Sequence, residues 1–287
     1  MQEQEYKIEN IKSFELADIF DCGQCFRWNK QEDGSYTGIF RKNVINVQKQ
    51  KNTIIFKGIC DGEIKEIVED YFDLKRNYEE IKNKLSQIDE NVKTSIEYGQ
   101  GIRILNQDLW EMIISYIISA NNNIPRIKGI IERLSLKYGK EIDWNGEKYY
   151  TFPTPEELKK AEVQDFRGLG TGFRDVRLYE TTRTVLENKV VLKDLYNVDT
   201  LKAREELLTL SGVGPKVADC ILLFSDLKRF DVFPIDVWVR RVMNELYIKN
   251  PDETKVNKKD IARIAKEKFG DLEGLAQQYL FYWKRDA

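Results

Sequence analysis

Leu207-Leu208-Thr209-Leu210-Ser211-Gly212-Val213-Gly214-Pro215-Lys216-Val217-Ala218-Asp219-Cys220 reads as the close of one helix, a tight turn and the opening of another. The first helix is expected from about Leu201 to Thr209, and the second from Pro215, with the whole motif at about 201–226. Gly212 and Gly214 permit backbone conformations and close approaches that a Cβ would obstruct. Pro215 suits a first helical position, where its missing N–H has no partner to lose. Such a turn leaves amides exposed at a helix start, which suits an anion such as a phosphate. The pattern is that of a helix-hairpin-helix, which grips DNA backbone without reading bases. The plain alternative is an interhelical turn with no ligand.

Lys216 falls in the first turn of the second helix, where the macrodipole disfavours an ammonium. Partial burial is expected to lower its pKa further. Both effects would favour the neutral amine that a lysine nucleophile requires. Cys220 lies four residues on, on the same helical face. Twenty residues after the lysine, Asp236 precedes the apolar-periodic run from Val237. It suits an N-cap, and a carboxylate fixed there can also stabilise positive charge on a sugar as its glycosidic bond breaks.

The rest of the composition removes alternatives. The 287 residues contain no histidine, so Ser-His-Asp and Cys-His machinery cannot be built. Cys22 and Cys25 form a CxxC, but with four cysteines in all and no second such pair a tetrahedral zinc site lacks ligands. No apolar run approaches the length of a bilayer span, and the N-terminal residues lack the apolar core of a secretion signal. A cytoplasmic protein is expected, nucleoid-associated if bacterial. The formal charge is −2, from 46 basic and 48 acidic residues, which by itself argues weakly against nucleic acid. The acidity is uneven, however: 11 acidic and 6 basic residues fall in 60–99, against 1 acidic and 3 basic in 121–134.

Outward from the hairpin the chain divides into two textures. Phe26-Arg27-Trp28, Tyr36 to Phe40, Val44 to Val47 and Thr53 to Phe56 are β-rich runs separated by turn residues, and they predict an antiparallel sheet. From about residue 99 the periodicity predicts almost only helices. Asp108 is placed to cap one through Ile118. Asn121-Asn122-Asn123 breaks it, and Pro125 opens the next. Thr154 and Pro155 are expected to start another. Trp110 and Trp144 are assigned to packing. The expected class is α+β, with an N-terminal sheet domain over 1–98 and a larger helical body over 99–287.

Taken together, the hairpin from Leu210 to Lys216 and the later Pro234 and Asp236 resemble the HhH-GPD superfamily of DNA glycosylases. A lysine at 216 resembles its bifunctional members, and the absence of cysteines after Cys220 sets the chain apart from the iron–sulfur branch. Within the superfamily the chain is most similar to 8-oxoguanine DNA glycosylases of the eukaryotic-like type. Val213 to Cys220, Gly23-Gln24-Cys25-Phe26-Arg27-Trp28, Ser119 to Arg126, Gly172-Phe173-Arg174 and Gly274 to Phe281 carry that likeness over nearly the whole length.

The resemblance implies removal of 8-oxoguanine opposite cytosine from double-stranded DNA by base flipping. Lys216 would form a Schiff base with C1′ and then cleave the strand by β-elimination, with Asp236 as its catalytic partner. The Gly23 carbonyl would accept the N7–H of the lesion, Gln277 would bond its Watson–Crick edge, and Cys220 and Phe281 would sandwich it. Asn121 would fill the vacated gap, Phe173 would act as the wedge, and Arg126 and Arg174 would contact the orphaned cytosine. Gly212 and Gly214 would hold backbone phosphate. No cofactor and no catalytic metal are implied. The carbonyls of Leu208, Leu210 and Val213 are where such hairpins bind a monovalent cation. A monomer without membrane association is expected. Trp238 stands where the family often has histidine, and Pro215 replaces a commoner threonine.

Two other readings remain at this stage. One is a bifunctional glycosylase acting on a different oxidised purine. The other is a non-catalytic module that keeps only the hairpin, against which Lys216 and Asp236 together argue.

Overall fold

The computed structural model describes residues 2–286. Five antiparallel strands form the N-terminal sheet: β1 (Gln2–Glu9), β2 (Trp28–Lys30), β3 (Tyr36–Phe40), β4 (Asn43–Gln50) and β5 (Thr53–Cys60), in the order β1-β5-β4-β3-β2. Three of the expected runs lie in β3, β4 and β5. The run at Phe26 becomes strand only from Trp28. The edge strand β1 was not anticipated. Its charged residues give little β-propensity, and its place is set by backbone pairing with β5, from Gln2 opposite Cys60 to Glu9 opposite Thr53. A short helix α1 (Leu16–Phe20) links β1 to β2.

Helices follow as α2 (Ile64–Tyr71), α3 (Tyr78–Ser86), α4 (Glu90–Tyr98), α5 (Leu109–Ser119), α6 (Ile124–Tyr138), α7 (Val163–Gly168), α8 (Asp175–Leu186), α9 (Thr200–Leu208), α10 (Pro215–Phe224), α11 (Val237–Met243), α12 (Lys258–Phe269) and α13 (Glu273–Asp286). The α+β architecture is as expected. Asp108, Asn123 and Asp236 cap α5, α6 and α11 through their side chains. Helix α5 is apolar around its circumference and is correspondingly buried at the centre of the body.

Two expectations are corrected. The stretch beyond residue 99 is not almost purely helical, because β6 (Glu141–Trp144) and β7 (Glu147–Tyr150) form a hairpin. Asn145 and Gly146 at its tip have φ of 52° and 77°, the left-handed pair that suits a two-residue hairpin loop. Ile142 and Trp144 pack there against Ile39 and Val44 of the sheet, and the Trp144 indole donates to Glu3 at 3.1 Å. The second correction concerns Thr154 and Pro155, which open only turns. Thr154 and Glu157 cap one another, but helix resumes at Val163.

The two main cores do not divide at residue 98. Phe14, Phe20, Trp28, Phe56, Val68 and Phe72 pack under the sheet, whereas Tyr78, Leu85, Val92 and Ile96 already belong to the core of the helical body. The segment from Cys22 to Trp28 runs along the seam. Cys22 and Phe26 enter the helical core, and Cys25 and Trp28 enter the sheet core. Both cysteines of the CxxC are buried free thiols.

Gln24 fixes that seam. Its buried amide donates to the carbonyls of Ile19 (2.8 Å) and Arg103 (2.7 Å) and accepts from the Leu105 N–H (2.9 Å). Gln24→Ala leaves these groups buried and unpaired, and each such loss costs about 1–3 kcal/mol. The variant is expected to lose about 3 kcal/mol in urea denaturation. A loss below about 0.5 kcal/mol, the range of surface changes, would refute the role of this residue.

Candidate active site

The hairpin is built from α9, the turn at 209–214 and α10. Leu207, Leu210 and Val213 anchor it in the core. Gly212 has φ +86°, and a Cβ there would meet Arg177 Cδ at 3.0 Å and Ile117 Cγ2 at 3.2 Å. Its glycine is therefore required by both conformation and space. Gly214 is the N-cap of α10 and supplies no side-chain cap; nothing lies within 4 Å of where its Cβ would be. The first amides of α10 thus begin beside open space, where an anion can approach. The turn is tied to α8 by Thr181, which donates to the Ser211 carbonyl at 2.8 Å. The carbonyls of Leu208, Leu210 and Val213 border this turn as hard oxygen donors. That of Leu210 already accepts the Val213 N–H at 3.1 Å, which uses one of its lone pairs. Among the described residues no group of three or more His, Cys, Asp or Glu side chains could hold a metal.

Lys216, the second residue of α10, points its amine at three neighbours. It lies within electrostatic reach of Cys220 and Asp236, and sits 5.5 Å from the centre of the Tyr116 ring. The expectation of a lowered lysine pKa is reversed. The negative charge available at Cys220, and then that of Asp236, outweigh burial and raise it. Burial pushes the Cys220 thiol up as well, against the pull of Lys216. The resting side chain is an ammonium. Asp236 is held at the start of α11, accepting from the Val239 N–H at 2.8 Å.

A second set of contacts joins the seam to α13. Gly23 has φ +88°, and a Cβ on it would stand 3.5 Å from the Phe281 ring. Gln278 on α13 donates to the Cys22 carbonyl at 2.7 Å, which fixes the loop against the helix. Gln277 and Phe281, four residues apart, share one face of α13. Gln277 is buried, and its Oε1 has no partner among the described residues. Phe281 is partly buried, with the Arg285 guanidinium 5.8 Å from its ring. The structure thus brings Gly23 to Phe281, and Lys216 to Cys220 and Asp236.

A second cluster lies beyond the end of α5. Asn121 has φ +52°. Phe173 is 56% exposed, with the guanidinium carbons of Arg174 and Arg177 at 4.3 and 5.2 Å from its ring centre. Arg126 is exposed and donates to the Gly170 carbonyl at 3.2 Å. Arg174 departs from its expected role as an open base reader. It is 2% exposed, and its guanidinium donates to the carbonyls of Ala120 (3.0 Å), Asn121 (2.9 Å) and Thr171 (3.0 Å). It clamps the loop that carries Asn121. Trp238 is 50% exposed beside Asp236, with the Arg241 guanidinium 5.5 Å from its ring.

Sequence reasoning missed Arg177, which contributes to the arginine cluster around Phe173, and Tyr116, which underlies the lysine. Tyr116 stacks on Phe224 at 5.9 Å and meets Phe26 edge-on at 5.7 Å. Its place within an apolar helical run signals core packing and nothing more.

Residues 7–113 match the family model of the 8-oxoguanine DNA glycosylase N-terminal domain, and residues 114–271 match that of the HhH-GPD superfamily base excision DNA repair protein. The probable N-glycosylase/DNA lyase of Methanothermobacter thermautotrophicus is 34% identical over 238 residues, covering 76% of this chain and 74% of that one. The N-glycosylase/DNA lyase of Saccharomyces cerevisiae is 33% identical over 261 residues, covering 81% and 68%. The fold is similar to that of the Clostridium acetobutylicum 8-oxoguanine glycosylase/lyase in its apo-form (TM-score 0.92, 44% identity, 98% of each chain). It is equally similar to that enzyme in complex with double-stranded DNA containing cytosine opposite 8-oxoG (TM-score 0.93, 43% identity, 100% of this chain and 98% of that one).

The geometry separates the two arginines near Asn121. Arg174→Ala is expected to lose about 2 kcal/mol of stability, because three loop carbonyls lose their donor. Arg126→Ala should stay within about 0.5 kcal/mol, as exposed changes do. Urea midpoints in the reverse order would contradict the clamp.

Proposed function

The chain belongs to the 8-oxoguanine DNA glycosylase/AP lyase family of the HhH-GPD superfamily and is a bifunctional enzyme of that class, and on that footing we propose that it flips 8-oxoguanine paired with cytosine out of duplex DNA and excises it with Lys216. The observation that carries the reading is the meeting of Lys216 with Cys220 and Asp236 at the mouth of the hairpin helix. The approach of Gly23 to Phe281 supports it.

Attack on C1′ inside a duplex is blocked, so the nucleotide is extruded at a cost of a few kcal/mol. Asn121 and Phe173 offset this by filling the hole, while Arg126 holds the orphaned cytosine. The flipped purine lies between Cys220 and Phe281, with Gln277 on its Watson–Crick edge. The Gly23 carbonyl attracts the N7–H of the lesion and repels the lone pair of guanine, which discriminates in both directions. Amides beyond Gly212 and Gly214 take a backbone phosphate.

Lys216 must first lose a proton, since its resting form is the ammonium. The amine then bonds to C1′ as the C1′–N9 bond breaks, and the departing base carries off the electron pair and takes up a proton. Asp236 stabilises the positive charge that builds on the sugar. The amine sheds its remaining extra proton as the C1′–O4′ bond opens and O4′ takes up a proton, which gives the Schiff base; loss of a C2′ proton then expels the 3′ phosphate by β-elimination. The protein acts as a monomer on double-stranded DNA in the cytoplasm. No described helix is long and apolar enough to cross a membrane. A module that retains only the hairpin would not match relatives over both regions, as this chain does.

Borohydride should trap wild type on duplex carrying 8-oxoguanine opposite cytosine, whereas Lys216→Gln binds that duplex without trapping. Equal trapping by the variant would remove Lys216 from its role. A matrix of lesions and opposite bases tests the substrate, and preferential release of another oxidised purine would replace 8-oxoguanine in this reading. Because the lysine pKa is raised, the neutral amine becomes more abundant as pH rises. The single-turnover trapping rate is therefore expected to climb from pH 6 to pH 9. A plateau beginning near neutrality would show that the amine is already free.

A further inference from the structure

Tyr116 buries a hydroxyl that has no hydrogen-bond partner among the described residues. The residue is 3% exposed, and its phenol oxygen lies within electrostatic reach of Cys220, Cys25 and Cys22. Cys220 lies beside Lys216, and Cys22 and Cys25 belong to the segment that carries Gly23. The ring lies under the Lys216 amine. A phenylalanine would make the same contacts with Phe26, Phe224 and Lys216 and would bury no unpaired polar atom. The hydroxyl therefore costs stability in the free protein, as any buried group without a partner does. Gln277 Oε1, also buried and unpaired, presents the same feature on α13.

We propose that Tyr116 is a further binding residue for the flipped nucleotide, its hydroxyl donating a hydrogen bond to an acceptor atom of the extruded base when that base enters beside Lys216. The inference rests on the base-flipping reading above. Tyr116 sits on α5, five residues before Asn121, so one helix carries both the ring beneath Lys216 and the loop bearing the residue assigned to the vacated gap. The ring contributes separately by attracting the ammonium form of Lys216.

The test uses the full-length protein and a duplex with 2′-fluoro-8-oxoguanine opposite cytosine, which binds but resists attack at C1′. Tyr116→Phe is expected to melt at the wild-type temperature or above, to bind undamaged duplex as wild type does, and to bind the lesion duplex about five- to tenfold more weakly. Unchanged lesion affinity would overturn the proposal. So would equal weakening on both duplexes with a lowered Tm, which marks packing. Tyr116→Leu, lacking ring and hydroxyl, should lose lesion preference at least as far as Tyr116→Phe. Full recovery of that preference by phenylalanine would assign the effect to the ring and sink the claim for the hydroxyl. If wild type itself shows no preference for the lesion duplex, the base-flipping reading of 8-oxoguanine fails first. A wild-type preference retained in Tyr116→Phe removes Tyr116 alone.

Discussion

Gln24 pairs its side-chain amide with backbone on both sides of the seam, and its own carbonyl accepts from Gln107 at 2.9 Å. A buried polar group of this kind is stable only when every donor and acceptor is met. The requirement locks the Cys22–Trp28 segment into one register between the cores. Gly23 can then hold a left-handed conformation against Phe281. The candidate site is thus assembled from two bodies that are each packed for other reasons. The segment at the seam brings Gly23 to Phe281 of α13, and α10 brings Lys216 to Cys220 and Asp236. Small residues at Gly23 and Gly212 let these elements approach.

The electrostatics of Lys216 differ from a simple burial argument. A helix start and an apolar surround both work against an ammonium, yet Cys220 and Asp236 stand close enough to reverse the outcome. A charged lysine next to a carboxylate and an aromatic face is held in place more firmly than a neutral amine would be. It is also a poorer nucleophile until it gives up a proton. If Lys216 is the nucleophile we propose, its orientation at rest and its reactivity toward C1′ belong to different protonation states of one side chain.

What was legible in the sequence was local. Asp108, Asn123 and Asp236 announce helix starts within four residues of chain, and Gly212 through Lys216 announce the hairpin in the same way. The features that were hidden depend on distant partners. Strand β1 exists because β5 offers it a ladder. The β6–β7 hairpin did carry its own signal in Asn145-Gly146, but four-residue strands between helices give too short an alternation to stand out. The fate of Arg174 is decided by carbonyls more than fifty residues earlier. Tyr116 looks like any aromatic residue in an apolar helix, and the raised pKa of Lys216 needs the position of Asp236 in space. The division of the cores after Phe72 was obscured because α3 and α4 follow the sheet in sequence but pack with the body.

The bond from Gln278 to the Cys22 carbonyl spans 256 positions of chain. Contacts of such high order form late, since their loop-closure entropy must be met before they contribute. A chain emerging from a ribosome can complete the hairpin helices well before α13 is available. During that interval the Cys22 carbonyl lacks its Gln278 donor and Gly23 has no Phe281 ring against it. The shape of the loop at Gly23 is therefore coupled to the arrival of a segment more than 250 positions downstream.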